Sequence, residues 1–180
     1  MSAPVESEIK LSMDGPEAAR AAVAALGATP GRARHLEDNV LYDDASSSLY
    51  AAGQALRLRR AEGRAIVTCK GPRQDRGDGV KSRPETEIEV SDGEAFHSIL
   101  AALGYHKVFR YQKYRATFHW REVEIVIDET PIGTFLEIEG PVNVIHEAAR
   151  ALGRGPADYI ADSYAALFFA SGGKGDMVFP

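Results

Sequence analysis

Charged and polar side chains recur at every second position along much of this chain. Glu6, Glu8 and Lys10 are spaced this way, as are Arg57 and Arg59, Thr68 and Lys70, Glu85, Glu87 and Glu89, Lys113 and Arg115, and Glu137 and Glu139. In an extended strand, residues i and i+2 project from the same face, so each set places its groups side by side. Carboxylates gathered in this way hold hard divalent cations through oxygen ligands. Gathered Lys and Arg hold phosphate oxygens by charge-assisted hydrogen bonds. One surface carrying both is suited to a phosphate chain escorted by metal ions, because the cations neutralise carboxylate and phosphate together.

The elements that would position these groups are strands. The intervening residues are apolar, as with Ile9 and Leu11, Leu56 and Leu58, Val123, Ile125 and Ile127, and Leu136 and Ile138. Period-2 alternation predicts eight strands, over 4–12, 36–43, 54–61, 65–71, 85–90, 108–120, 122–129 and 134–140. Short turns at 61–64 and 120–121 favour antiparallel pairing. Helices are predicted over 15–26, from a Ser91 cap to Leu103, over 143–152 and over 156–171, the last with Tyr159, Ile160, Tyr164, Leu167 and Phe168 as a packing stripe. The Gly-rich stretch 71–83 reads as a mobile loop and 172–180 as a loose tail.

A sheet with one wet face accounts for any single strand of this kind. The tight charged pairs on at least six strands favour another arrangement. Eight strands suffice to close a barrel around one small ligand. With the charged faces inward, the apolar faces turn outward and the helices cover them. The expected fold class is therefore α+β: a closed, mainly antiparallel eight-stranded barrel with helices outside, forming one domain over residues 1–171.

Bulk properties narrow the function. The 180 residues carry a formal net charge of -5, against the basic field that general nucleic-acid binding requires. No apolar run approaches the ~20 residues of a membrane span, and the N-terminus shows no signal-peptide pattern. A single cysteine, Cys69, excludes an intramolecular disulfide or a Cys-based zinc cluster. A cytoplasmic protein is the default expectation.

The ordered series of short motifs resembles the CYTH superfamily, the triphosphate tunnel metalloenzymes. Glu6-Ser7-Glu8-Ile9-Lys10 is similar to the family's Glu-x-Glu-x-Lys signature and Asp38–Asp43 to its second strand. Leu56-Arg57-Leu58-Arg59 is similar to its Leu-Arg-x-Arg element, Thr68-Cys69-Lys70 to Thr-x-Lys, and Arg83–Glu87 to Arg-x-Glu-x-Glu. Lys113-Tyr114-Arg115 is similar to Lys-x-Arg, and Asp128 with Gly133–Glu139 to the closing acidic elements. The resemblance runs from Glu6 to about Leu167. It implies an eight-stranded tunnel, Mg²⁺ or Mn²⁺, and a triphosphate-containing small molecule. By position it implies Glu6, Glu8, Glu87, Asp128, Glu137 and Glu139 as metal ligands, and Lys10, Arg57, Arg59, Lys70, Arg83 and Arg115 as phosphate contacts. Lys113 is implied as the catalytic lysine, helped by a setting among other cations.

The resemblance implies hydrolysis of tripolyphosphate, thiamine triphosphate or a nucleoside triphosphate. The alternatives are cyclisation of ATP to cyclic AMP and pyrophosphate, as in class IV adenylyl cyclases, and a non-catalytic polyphosphate or nucleotide sensor. Relatives often dimerise, so a homodimer is a further expectation. Many triphosphatases carry a basic residue just before a tyrosine of the final helix, where this chain has Asp162-Ser163-Tyr164. Cys69 reads as a small core residue, Tyr42 as a residue that could approach substrate, and His119 as one that could reach a tunnel mouth. His35 reads as a packing or surface residue.

Overall fold

The computed structural model describes residues 4–74 and 77–180. Nine strands, five α-helices and one 3₁₀ turn make up the described part. The strands are β1 (Val5–Met13), β2 (Thr29–Pro30), β3 (His35–Asp43), β4 (Ala55–Ala61), β5 (Arg64–Lys70), β6 (Lys81–Val90), β7 (His106–Trp120), β8 (Val123–Thr130) and β9 (Gly133–Glu139). The helices are α1 (Pro16–Ala25), α2 (Ser48–Ala51), α3 (Gly93–Ala102), α4 (Val142–Ala151) and α5 (Tyr164–Ala170).

Strand order is β7-β3-β4-β5-β6-β1-β9-β8, and β8 pairs back onto β7, so eight strands close into a barrel. Every pairing within it is antiparallel. Closure leaves the eight-membered ring without an open edge. The two-residue β2 adds to β7 at Thr29 and Pro30 and is too short to be visible as an alternation. The tight β4–β5 turn has positive φ at both Glu62 and Gly63, the geometry whose twist matches the flanking strands.

The inside-out arrangement is borne out. The apolar faces of β1, β8 and β9 meet α1 and α4 in one cluster, where Ile9, Leu11, Ile125, Ile127, Leu136 and Ile138 pack on Ala19, Val23, Ile145 and Ala148. A second outer cluster packs Val40, Tyr42, Leu58 and Val67 against Leu100 and Phe96 of α3. Each fully buried Ile or Leu contributes roughly 1.5–3 kcal/mol, so these outer faces carry the fold while the lumen stays polar. Among the described residues no helix is long and apolar enough to cross a membrane.

Several local expectations change. The α3 cap is Asp92, not Ser91: its side chain accepts from the N–H groups of Glu94 and Ala95. The long last helix is split into a 3₁₀ turn at Pro156–Asp158 and the shorter α5. Between them the backbone is held by β1 instead of by helical bonds, since Ile160 N donates to Lys10 O (2.9 Å) and Lys10 Nζ to Asp162 O (2.8 Å). Strand β6 starts at Lys81, inside the stretch read as a loop. Asp75 and Arg76 of that stretch, like residues 1–3, lie outside the described residues. The segment after α5, read from sequence as a loose tail, runs beside β7, with Met177 1% exposed and bonded to Arg110 O and Gln112 N. Tyr42 faces the outer cluster and bonds His97 Nδ1 (3.2 Å), so it cannot approach a ligand in the lumen. Cys69 is exposed, because α3 covers Val67 but not the next outward residue of β5.

Candidate active site

The register of the barrel decides which charges meet. Glu8 lies opposite Glu139, Lys10 opposite Glu137, Arg57 opposite Thr68, Lys113 opposite Glu37 and Arg115 opposite Asp128. All of these face the lumen, and they divide into two electrostatic groups.

The first group is a cation-rich wall on β3, β4 and β7. Asp128, fully buried, accepts from Lys113 Nζ (2.8 Å), from Arg115 Nε and Nη2 (2.7 and 2.6 Å) and from Tyr164 Oη (2.8 Å). Arg115 also donates to Glu137 (2.6 Å), which lies 3.5 Å from Lys10 Nζ. Arg59 bridges Glu37 (3.4 Å) and Glu87 (3.1 Å), and Arg57 lies 3.7 Å from Glu87. Burial pushes the Glu37 carboxyl up, but Lys113, Arg115, Arg59 and Arg57 outweigh it and bring it down to about 2. Glu137 likewise lies well below the usual carboxylate range, held there against burial by Lys113, Lys10 and Arg115. Lys113 therefore has carboxylates, not other cations, as its nearest neighbours. Even so, the Nε atoms of Arg57 and Arg59 and both amide atoms of Asn39 are buried without a hydrogen-bond partner in the protein. Orphaned buried polar groups of this kind are costly and call for an explanation.

The second group lies across the barrel on β1, β6 and β9. Burial pushes Glu6 up to about 8, with help from a hydrogen bond to Glu85 and from the charge of Glu139. Glu139 rises to about 7 through burial, then Glu8. Glu8 itself stays below its ordinary value. Burial and Glu137 push it up, but Lys81, which ion-pairs with it, and Lys70 prevail. Lys70 pairs with Glu85. Among the described residues, no three His, Cys, Asp or Glu side chains are already gathered around one point in the manner of a metal site. Their chemistry nevertheless fits a hard divalent ion: Glu6 and Glu139 are oxygen donors whose ionised forms are disfavoured by burial and then by neighbouring carboxylates.

Arg83 stands apart. Its Nε donates to Gly71 O (2.8 Å) and its Nη2 to Gly53 O (3.2 Å), tying two loops together. Glu87 belongs with the cations and also accepts from Thr68 Oγ1 (2.9 Å). Of the expected metal ligands, Glu6, Glu8 and Glu139 thus share one region, while Asp128, Glu137 and Glu87 are engaged by cations.

Lys81, Glu37, Glu85, His35 and Tyr164 also belong to the lumen, although the family resemblance implies no role for them. Alternation carries a signal for three of them: Glu85 heads the Glu85, Glu87 and Glu89 series, Lys81 extends it through Arg83, and Glu37 lies midway between His35 and Asn39. Tyr164 carried no such signal. Its ring lies 4.3 Å under Lys10 Nζ, and with Phe109, Tyr111, Phe135 and Met177 it closes one end of the tunnel. At the other end His119 lines the mouth, as its strand position allowed.

Comparison with known proteins agrees with this geometry. A CYTH domain model matches residues 5–164. A Methanocaldococcus jannaschii protein, provisionally named as an adenylate cyclase, is 29% identical over 149 residues, covering 82% of this chain and 83% of its own length. A solved Vibrio parahaemolyticus structure, also provisionally named as an adenylate cyclase, superimposes with a TM-score of 0.80 at 20% identity, over 93% of this chain and 99% of that one. A Hippeastrum structure, described as a provisional adenylyl cyclase with a dominant triphosphatase activity, superimposes at 0.68 with 22% identity, over 94% and 97% of the two chains. These two structural matches establish a shared fold.

Proposed function

The chain belongs to the CYTH domain family, and on that premise we propose that it is a divalent-metal-dependent hydrolase of linear triphosphates. The observation that carries this reading is the unfinished hydrogen bonding of the cation-rich wall: Arg57 Nε and Arg59 Nε are buried donors with no acceptor in the protein. A chain of phosphate oxygens supplies acceptors there, and Lys10, Arg115 and Lys70 extend the same positive lining. Glu6, Glu8 and Glu139 would hold Mg²⁺ or Mn²⁺. Such an ion supplies charge neutralisation for phosphate oxygens and a more acidic bound water.

Phosphoryl transfer asks little covalent help of a protein and depends on positioning and charge stabilisation. Arg57, Arg59 and Arg115 bind and orient the phosphate chain. Asp128 and Glu37 fix Lys113, whose ammonium donates toward the reacting oxygens. The apolar closure around Tyr164 excludes water from one end. Arg83 contributes by holding the loops at Gly53 and Gly71.

The second reading is cyclisation of ATP, favoured by the name of the 29% identical relative. Incubation with Mg²⁺ or Mn²⁺ and separately with tripolyphosphate, thiamine triphosphate and ATP, with all products resolved, decides between them. Orthophosphate without cyclic nucleotide supports the hydrolase. Cyclic AMP with pyrophosphate replaces it by the cyclase, and binding without turnover of any of the three leaves a sensor.

A further inference from the structure

The mouth of the tunnel contains a second, differently built subsite. A cavity of about 250 Å³ lies there, lined by Arg32, His35, Glu37, Arg59, Arg115 and His119 among others. Arg59 and Arg115 belong to the cation-rich wall as well, so the cavity continues directly from the place proposed for the phosphates. His35 and Glu37 are neighbours on the inner face of β3 and are 8% and 2% exposed.

Two of the lumen's unpartnered buried acceptor atoms belong to residues that line this cavity. His35 Nδ1 lies 2.8 Å from Ala33 O. A carbonyl only accepts, so Nδ1 carries the hydrogen and, in the neutral ring, Nε2 is left as an acceptor. That Nε2 is buried with no hydrogen-bond partner, and so is Glu37 Oε2, whose nearest cation, Lys113 Nζ, lies 3.6 Å away. Glu37 Oε1 is 3.7 Å from His35 Nε2, so the free acceptors sit close together.

A ligand that satisfies both must bring hydrogen-bond donors. A phosphate group has few or none at neutral pH, and the Glu37 carboxylate repels it. A metal ion or an amine meets Lys113, Arg59 and Arg115 at close range. Neutral hydroxyl groups suffer neither penalty. We propose that the His35–Glu37 pair binds vicinal hydroxyls of a sugar attached to the phosphate chain, so that the mouth selects a nucleoside triphosphate over inorganic tripolyphosphate. This rests on the triphosphate reading above and specifies the substrate class for the same tunnel.

The test is calorimetric titration of the full chain, with Mg²⁺, against the β,γ-imido analogues of ATP and of 2′,3′-dideoxy-ATP and against imidotriphosphate. The hydroxyl-bearing nucleotide is expected to bind about tenfold or more tightly than its dideoxy counterpart. His35→Ala collapses that ratio toward one, and His35→Gln, which keeps an acceptor, retains part of it. Equal affinity of wild type for the two nucleotides overturns the subsite whether or not either variant folds, and so does a ratio unchanged in His35→Ala. Imidotriphosphate that binds while the nucleotide ratio stays at one removes only the subsite; failure of all three ligands to bind removes the triphosphate reading with it.

Discussion

Asp128 and Glu139 are both acidic lumen residues, yet their surroundings make opposite demands on substitution. Asp128 is the shared acceptor of Lys113, Arg115 and Tyr164. Removing it leaves buried cations short of their counter-ion, which typically costs about 3–5 kcal/mol. Asp128→Ala is therefore expected to lower unfolding stability by that amount in urea, with or without metal. Glu139 resists ionisation because it is largely buried and also faces Glu8 and Glu124. Glu139→Gln removes like-charge repulsion, so at pH 8 without metal it should melt at or above the wild-type temperature. The same variant should lose most of the stabilisation that Mg²⁺ or Mn²⁺ confers. A Glu139→Gln protein that melts well below wild type without metal would place Glu139 with the structural ion pairs. The sequence makes Asp128 and Glu139 look alike, because alternation tells which face a carboxylate occupies but not which charges stand across the lumen. That second fact depends on the register of β7 against β8 and of β1 against β9.

At the scale of elements, strands were easier to read than helix ends. All eight barrel strands follow from alternation because each has one face in a polar lumen and an opposite face that carries apolar residues, most of them packed in the outer clusters. The helices are set by finer chemistry. Ser91 and Asp92 are both good caps by type, and only the backbone decides between them: Asp92 is extended and its carboxylate reaches two N–H groups at 2.8 and 3.0 Å. Asp92→Ala should cost about 1 kcal/mol, whereas Ser91→Ala should stay within about 0.5 kcal/mol; thermal unfolding of the two single variants compares them directly. The split of the last helix was not legible locally, since its cause is a pair of bonds to Lys10 on the first strand, some 150 positions away. That break is what lets α5 turn its aromatic residues into the tunnel end, so the stripe at Tyr164, Leu167 and Phe168 packs on a core as expected, but that core is the plug of the lumen.

For the molecule as a whole, the separation of charge across the lumen fixes how stability depends on pH. Burial and neighbouring carboxylates push Glu6 up to about 8 and Glu139 up to about 7 in the fold, both from an ordinary value of 4.5. Between pH 4.5 and 8 the folded chain thus binds more protons at these sites than the unfolded chain, and stability falls as pH rises through that window. Glu37 acts the other way. Its carboxyl is lowered to about 2, so its contribution is complete above about pH 4.5 and is lost as pH falls toward 2. Both slopes point to greatest metal-free stability near pH 5. A bound divalent cation reverses the first slope, since it favours the ionised carboxylates and stabilises only the folded chain. Melting temperature measured from pH 4 to pH 9 in EDTA should therefore peak near pH 5 and decline by pH 8. With millimolar Mn²⁺ the decline should flatten, and the metal-induced increment should grow with pH. An increment that is the same at pH 5.5 and pH 8 would detach the metal from Glu6 and Glu139 and assign it to carboxylates already ionised at both, of which Glu8 and Glu137 are the nearest.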